Sequence, residues 1–264
     1  MKKCAMINDL SGFGKCSLGV SIPIMSVMGI EAHPVVTSYF TNQTGYDSFE
    51  YVDLTGFVPK IIEQWKKLKV SFDGIITGFV ADEKQFDHIE KFIDEFKGKN
   101  TVLVVDPVMG DEGKIYATYN DEMCNRMKKL CKRADIITPN VTELKILTGE
   151  SDIEKGAEKL LFQGIGAVVV TGIKNGEKIV TWAFENGHSK KFETMYIHHE
   201  KCNSSSFSGT GDIFSSIVLA SVLNGNELFD AVETATQFIE KTISFSNISD
   251  KNDGIDFEKC LKLL

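Results

Sequence analysis

The sequence has no hydrophobic run long enough to cross a membrane and no excess of basic residues. Its 29 lysines and arginines are outnumbered by 37 aspartates and glutamates, which gives a formal net charge of −8. A surface of this charge repels nucleic acids and anionic lipids, and a membrane span needs about 20 consecutive apolar residues. We therefore predict that the chain binds neither nucleic acid nor membrane. Any anionic ligand is expected to bind at a local site rather than to the surface as a whole.

The sequence also lacks paired cysteine motifs and an export signal. None of the six cysteines forms a C-x-x-C pair. The first residues, MKKCAMINDLSGFGK, contain only a short apolar run, which is typical of a first strand rather than a signal peptide. Reduced thiols in a cytoplasmic protein are the simplest interpretation of this cysteine usage. Because there are no internal repeats, low-complexity tracts or clear linkers, we expect one domain over residues 1–264.

Short apolar runs rich in valine and isoleucine alternate with longer segments of helical period. This alternation predicts an α/β fold with a mostly parallel sheet flanked by helices. The predicted strands are residues 4–8, 33–38, 73–78, 101–106, 135–138 and 166–171. The predicted helices are residues 53–70, 82–97, 120–133, 211–223 and 226–246.

The pattern changes after residue 171. Asn175-Gly176 is a two-residue hairpin signal, and it predicts antiparallel strands at one edge of the sheet up to about residue 195. A polar loop over residues 196–208 follows. It contains two adjacent histidines and Cys202, but no convincing fourth metal ligand accompanies them, so a surface loop or flap is the favoured interpretation.

Residues 8–17, NDLSGFGKCS, are close to two phosphate-binding fingerprints but match neither. A P-loop would need a glycine and a hydroxyl where Asp9 and Cys16 stand. A dinucleotide fingerprint would need its third glycine where Ser17 stands. What remains is a glycine-rich strand-to-helix turn at the carboxyl end of a strand, which is where open α/β sheets bind ligands.

A second glycine-rich segment lies where the polar loop enters an apolar helix, and it consists of Gly209, Thr210, Gly211 and Asp212. The glycines let successive N–H groups turn toward one point, next to the free N–H groups of the first helical turn. Such a nest binds phosphate. Because Asp212 would repel phosphate, its candidate role is the general base for a hydroxyl that attacks the γ-phosphorus. The alternative is that Asp212 only complements the helix terminus.

Two further carboxylates follow buried strands. Asp106 ends the strand in VLVVDPVMGDEG, and Glu143 lies three residues after Asn140 in ADIITPNVTEL. Asp106 and Glu143 are candidate Mg²⁺ ligands, directly or through water, because Mg²⁺ prefers hard oxygen donors and bridges nucleotide phosphates. The structural alternatives are a turn at Asp106-Pro107 and a capping box from Asn140 to Glu143.

Over nearly its whole length the chain resembles the ribokinase superfamily, and within it the pyridoxal kinases. The segments DPVMGD, TPNVTEL, VVVTG and SGTGDIFSS occur in the order and approximate spacing of that family. NDLSGFGKCSLG followed by FTNQTGY is similar to the family's substrate-binding front. The resemblance implies a ribokinase-like three-layer sandwich, and ATP-dependent phosphorylation of the 5'-hydroxymethyl group of a B6 vitamer (pyridoxal, pyridoxamine or pyridoxine). It also implies Mg²⁺, often with K⁺, and a homodimer.

The same resemblance implies roles for individual residues. Asp212 would be the base and a substrate contact, and residues 209–211 would form the anion hole. The ATP site is expected to contain Asp106, Thr138, Glu143 and Thr171. The vitamer is expected to contact Ser11, Thr44 and Tyr46. Because a flat heteroaromatic ring suits apolar walls, Phe13, Phe40 and Tyr46 are candidates for them, and the alternative for each is an ordinary core or surface aromatic.

Two departures from the family pattern bear on the substrate. Gly45 stands where many pyridoxal kinases have glutamine, which leaves the preferred vitamer open. Hydroxymethylpyrimidine kinases of thiamine synthesis have a similar front, but they usually carry cysteine at the position of Asp212, so a pyridoxal kinase is favoured. The intact glycine-rich segment disfavours a non-catalytic vitamer-binding protein, and Ser17 disfavours a nicotinamide-dependent oxidoreductase.

Overall fold

The computed structural model describes residues 1–201, 204 and 206–264. The first half contains β1 (Lys2–Ser11), α1 (Ser17–Val27), β2 (Ile30–Phe40), β3 (Tyr51–Asp53), α2 (Val58–Lys67), β4 (Gly74–Thr77), α3 (Glu83–Phe96), β5 (Val102–Val105), β6 (Gly110–Asp111), β7 (Lys114–Ile115) and α4 (Asp121–Cys131). The second half contains β8 (Ile136–Ile137), α5 (Val141–Thr148), α6 (Ile153–Phe162), β9 (Ala167–Asn175), β10 (Lys178–Glu185), β11 (His188–Met195), α7 (Thr210–Leu223) and α8 (Leu228–Phe245). Short 3₁₀ turns cover Thr55–Phe57, Lys251–Asp253 and Phe257–Leu263.

Nine of these strands form one sheet in the order β11-β10-β9-β8-β5-β4-β1-β2-β3. The six strands from β9 to β2 are parallel neighbours, whereas β10 and β11 at one edge and β3 at the other are antiparallel. All six predicted strands are therefore confirmed, and so is the antiparallel edge after residue 171. The short antiparallel strand β3 at the opposite edge is not foreseen by the sequence pattern.

Helices cover both faces of the sheet and create two cores. Along β1, Ala5 and Ile7 face the core beneath α2 to α6, while Cys4 and Met6 face the core beneath α1, α7 and α8. This alternation follows from the strand geometry, in which successive side chains point to opposite faces. Because both faces are covered, the parallel strands are nearly continuous apolar runs. The three-layer arrangement expected from the sequence is confirmed.

The amphipathic helices agree closely with the sequence pattern. Helix α3 begins after Asp82, whose side chain accepts a hydrogen bond from the Lys84 N–H, and its apolar residues are buried. Helix α1 is different, because it is apolar on every side and contains Pro23. Its sequence has no helical period, and for this reason the sequence gives no bounds for it.

The hairpin between β9 and β10 turns one residue later than predicted. Asn175 pairs with Lys178, so the two turn residues are Gly176 and Glu177. Gly176 has a positive φ of 61°, which a glycine adopts without steric cost. A second two-residue turn, at Asn186-Gly187, joins β10 to β11, and both of its residues have positive φ. Here the asparagine and the glycine occupy the two turn positions themselves, which is the arrangement that an Asn-Gly signal predicts. The sequence analysis does not identify this turn.

Candidate active site

The glycine-rich segment forms the start of α7 at the carboxyl edge of the sheet. Gly209 is the N-cap residue of the helix, with φ 78° and ψ −2°. Among the described residues, no side chain accepts a capping hydrogen bond at this end of the helix. A Cβ atom at Gly209 would lie 2.0 Å from the Lys15 carbonyl oxygen, so a larger residue does not fit. The N–H groups in the first turn of a helix have no intrahelical acceptor. The segment therefore has the backbone of an anion site.

Asp212 is held from two sides by the N-terminal part of the chain. The Asn8 Nδ2 donates to its Oδ1 at 3.0 Å, and the Ser17 backbone N–H donates to its Oδ2 at 2.8 Å. Burial raises the pKa of Asp212, and these two donors oppose the rise by stabilising the charged form. The carboxylate therefore combines fixed geometry with increased basicity.

Asp106 lies beside the same segment. A Cβ atom at Gly211 would be 3.4 Å from the Asp106 Oδ2. The pKa of Asp106 is raised to about 8, mainly by burial and secondly by the charge of Asp212. A cation near a buried carboxylate stabilises its charged form, and the hard oxygen atoms of Asp106 are the donor type that Mg²⁺ prefers. Asp106 therefore fits a magnesium ion as one of its ligands.

Glu143 forms the capping box that the sequence offers as an alternative. Its Oε2 accepts from the Asn140 N–H at 2.8 Å, and the Asn140 side chain accepts from the Glu143 N–H at 2.9 Å. Its Oε1 accepts from the Met109 N–H at 3.1 Å. Burial, followed by the charge of Asp106, raises the pKa of Glu143 well above its ordinary value. Each carboxylate oxygen has a second lone pair, so the capping role leaves contact through a water molecule available.

The two threonines of the expected ATP site lie at the same edge of the sheet. Thr138 directly follows β8 and is buried, and a hydrogen bond from its side chain opposes the rise in the pKa of Asp106. Thr171 lies in β9, and its N–H donates to the Pro139 carbonyl at 2.9 Å. The Thr138 hydroxyl and the Asp106 carboxylate are therefore close together at this edge.

The three expected vitamer contacts differ in their surroundings. Ser11 ends β1, is buried, and donates its hydroxyl proton to the Asp9 Oδ2 at 3.2 Å. Thr44 is exposed in the turn that follows β2. The Tyr46 hydroxyl donates to Asp253, and its ring lies 5.8 Å from that of Phe13. Phe13 and Tyr46 thus form an aromatic pair beside the glycines of the front turn.

Phe40 has the surroundings of a core aromatic, the alternative that the sequence leaves open. It is buried, and its ring stacks on Tyr51 with a centroid distance of 5.2 Å and packs against Phe49 and Phe79. Lys15, in the front turn, pairs with Asp256 at 2.9 Å and Glu258 at 3.2 Å. It therefore ties this turn to the C-terminal segment.

Three residues next to the predicted base are missed by the sequence analysis. Asn8 and Ser17 contact Asp212 across 204 and 195 positions of the chain, and Asp9 accepts a hydrogen bond from Ser17. The available signal is the polar pair Asn8-Asp9 inside an otherwise apolar strand.

Cys202 lies outside the described residues, and within the described part of the chain no three histidine, cysteine or acidic side chains form a metal site. No helix in this part is long and apolar enough to cross a membrane.

Comparison with known proteins gives three informative relatives. A protein of Bacteroides thetaiotaomicron assigned to the phosphomethylpyrimidine kinases, in a crystal form with pyridoxal, is 36% identical, with a TM-score of 0.91 over 99% of this chain and 94% of its own. Pyridoxal kinase of Arabidopsis thaliana is 29% identical over 74% of this chain and 66% of its own length. Hydroxymethylpyrimidine/phosphomethylpyrimidine kinase of Bacillus subtilis is 29% identical over 65% of this chain and 63% of its own length.

The mostly parallel sheet, the helices on both faces and the glycine-flanked start of α7 define a ribokinase-like fold, as the sequence resemblance predicts. Residues 22–255 match the phosphomethylpyrimidine kinase family. The chain belongs to this family. It spans about two thirds of the length of the Arabidopsis and Bacillus relatives.

Proposed function

We propose that the protein transfers the γ-phosphoryl group of ATP to the 5'-hydroxymethyl group of a B6 vitamer. The observation that carries this proposal is the position of Asp212, a fixed carboxylate of raised pKa in the first turn of α7, beside the Gly209–Gly211 backbone. A general base and an anion site within one helical turn are the two elements that phosphoryl transfer to an alcohol requires.

In the proposed reaction Asp212 accepts the proton of the vitamer hydroxyl as its oxygen attacks the γ-phosphorus. A new oxygen–phosphorus bond forms, the bond from the γ-phosphorus to the β,γ-bridging oxygen breaks, and ADP leaves. The N–H groups of residues 209–211 stabilise the charge on the transferred group. Raised basicity favours Asp212 in this role over an ordinary aspartate. Base and anion site act on the same reacting group because they belong to one turn.

The nucleotide is proposed to bind along the carboxyl edge formed by Asp106, Thr138 and Thr171. Bound Mg²⁺, held by Asp106 with Glu143 acting through water, would neutralise charge on the nucleotide phosphates. The buried polar groups of Asp106 and Thr138 at this edge support a polar ligand there. A K⁺ requirement and a homodimer rest on the sequence resemblance alone, and a cytoplasmic location rests on the cysteine usage and the first residues of the sequence.

The vitamer is proposed to lie over the front turn, between Ser11 and the Phe13–Tyr46 pair, with Thr44 at the rim. An aromatic pair with a few placed polar groups suits a flat heteroaromatic ring. The pyridoxal in the Bacteroides relative's structure supports a pyridine ligand for this family. The family name and the Bacillus relative favour hydroxymethylpyrimidine as a second candidate. Asp212, in place of the cysteine usual in those kinases, favours the vitamer.

ADP release in the presence of each acceptor tests the proposal. Pyridoxal, pyridoxamine, pyridoxine and hydroxymethylpyrimidine are compared at equal concentration, with ATP and Mg²⁺, against a reaction without acceptor. We expect turnover above background with at least one vitamer, at a higher rate than with hydroxymethylpyrimidine. A rate that is highest with hydroxymethylpyrimidine would assign the protein to the second candidate, and background rates with all four would refute kinase activity on this substrate class.

A further inference from the structure

Asn8 has a fixed orientation next to Asp212. Its Oδ1 accepts hydrogen bonds from the Asp9 N–H at 2.9 Å and the Phe79 N–H at 3.0 Å. Two donors on this oxygen determine which way the amide points, so the Nδ2 faces the Asp212 Oδ1. A Cβ atom at Gly78 would lie 2.3 Å from the Asn8 Nδ2, so the neighbouring strand end must be glycine for Asn8 to occupy this place.

Ser17 has a backbone conformation that is uncommon for a residue with a side chain. Its φ is 51°, in the left-handed region. The Ser17 Oγ donates to the Asp9 Oδ1 at 2.6 Å, while its N–H donates to Asp212. Asp9 is buried and also accepts from Ser11. Such strain persists only where surrounding contacts hold it, and it is concentrated at functional sites.

A small cavity adjoins Asp212. It has a volume of about 10 Å³, is lined by Asn8, Thr77, Ser215 and Asp212 among others, and leaves room for about one water molecule. Each Asp212 oxygen accepts one hydrogen bond from the N-terminal part of the chain. These two hydrogen bonds restrict rotation of the carboxylate.

We propose that Asn8, Asp9 and Ser17 form a clamp that positions the Asp212 carboxylate for proton transfer, an inference that rests on the proposed role of Asp212 as the base. Asn8 and the Ser17 N–H each fix one oxygen, and Asp9 acts through Ser17 by anchoring its hydroxyl. The front turn thus has a second role in addition to lining the vitamer pocket. Both donors stabilise the charged form of the carboxylate and lower its pKa, whereas Asp9 and Asp106 are the acidic side chains that interact with it by charge.

The first test is Asn8→Ala, which removes one donor to Asp212. Loss of one hydrogen bond to a charged carboxylate is expected to raise the pKa of Asp212 by about one unit. The acid limb of the pH profile of kcat/KM should shift upward by the same amount, while ADP affinity changes less than about threefold. A merely structural role for Asn8 would lower the rate without moving this limb. The matched control is Asn226→Ala, which removes an amide hydrogen-bonded to Ser221 at the other end of α7 and should leave the limb unchanged.

Ser17→Ala tests the other side of the clamp without removing an atom that contacts Asp212. It breaks the Asp9 anchor, and we expect the acid limb to move in the same direction as in Asn8→Ala. Ser17→Gly removes the same hydroxyl but adopts positive φ without strain, so we expect its acid limb to move in the same direction as that of Ser17→Ala. Unmoved acid limbs in folded Asn8→Ala and Ser17→Ala would overturn the clamp.

An NMR titration of the wild-type protein tests the clamp without requiring turnover or a folded variant. The Ser17 amide and the Asn8 side-chain amide should titrate together with the Asp212 carboxyl carbon. Independent titration of these groups would overturn the clamp even if kinase activity is found. Conversely, common titration in a protein that releases no ADP with any acceptor would support the clamp and refute the proposed function, so the two failures are distinguishable.

Discussion

At the scale of single residues, burial raises the pKa of Asp106 and so makes the stability of the protein depend on pH. Its pKa is raised to about 8, so between about pH 4 and pH 8 the folded protein binds this proton more tightly than the unfolded chain does. The Asp106 contribution to stability is therefore complete below pH 4 and is lost as the pH rises through about 8. Stability without ligands should fall over this range.

Asp106→Asn removes this ionisation. We expect the variant to gain about 4 kcal/mol of unfolding free energy relative to wild type on going from pH 5 to pH 8. Urea unfolding at both pH values measures the difference, and the exposed Asp230→Asn is the control. An equal pH dependence in wild type and Asp106→Asn would contradict the assignment of a raised pKa to this residue.

Glu143 has two candidate roles that one substitution separates. Glu143→Gln keeps a side chain suited to a capping box and removes the charge that would act on magnesium-bound water. We expect the Mg²⁺ concentration for half-maximal turnover to rise about tenfold, with unfolding free energy changed by less than about 2 kcal/mol. The exposed Glu158→Gln on α6 is the control. An unchanged Mg²⁺ requirement would leave Glu143 as a capping residue only.

At the scale of elements, the start of α7 depends on Gly209. Both its positive φ and the 2.0 Å approach to the Lys15 carbonyl oxygen exclude a side chain. Gly209→Ala should cost at least about 2 kcal/mol of stability and reduce turnover about a hundredfold, because the first-turn N–H groups move. Gly225→Ala, at the other end of α7, is the control, since its φ is 95° but no atom lies within 4 Å of the added Cβ. Comparable turnover in the two variants would refute the anion-site role.

Some helices and strands are specified by their own local sequence, and others are not. Helix α3 is predicted within one residue at each end, because its amphipathic period and Asp82 cap are both present in the sequence. Strand β3 has three exposed residues and no apolar alternation, so its pairing with β2 is specified only by the folded neighbours. The same limit applies to α1, whose uniformly apolar sequence reflects burial between layers rather than a helical period.

At the scale of the whole molecule, parallel topology explains why the site is partly predictable. The carboxyl ends of parallel strands meet at one edge, so Asp106 is expected there because it ends a buried strand, whereas Thr138 and Thr171 are expected there from the family resemblance. The contact of Asn8 with Asp212 joins residues 204 positions apart and depends on α7 packing against the N-terminal strand-turn-helix unit. No local pattern encodes such a contact. The clamp is therefore visible only in the folded chain.

The two cores share the strands of one sheet, and we propose that residues 1–264 unfold as a single domain. Loss of either helical layer exposes the same buried strands, so the layers should not separate at equilibrium. Urea transitions followed by tryptophan fluorescence and by circular dichroism should coincide. Two separated transitions would contradict the single-domain prediction.

The most direct test of the central claim is the single-turnover rate of vitamer 5'-phosphate formation in Asp212→Ala, with enzyme in excess over ATP and Asp230→Ala as the control. General base catalysis contributes about 10² to 10⁴ in rate. We therefore predict a rate at least about a hundredfold below wild type, with ADP affinity nearly retained. Phosphoryl transfer at the wild-type rate in Asp212→Ala would contradict the account.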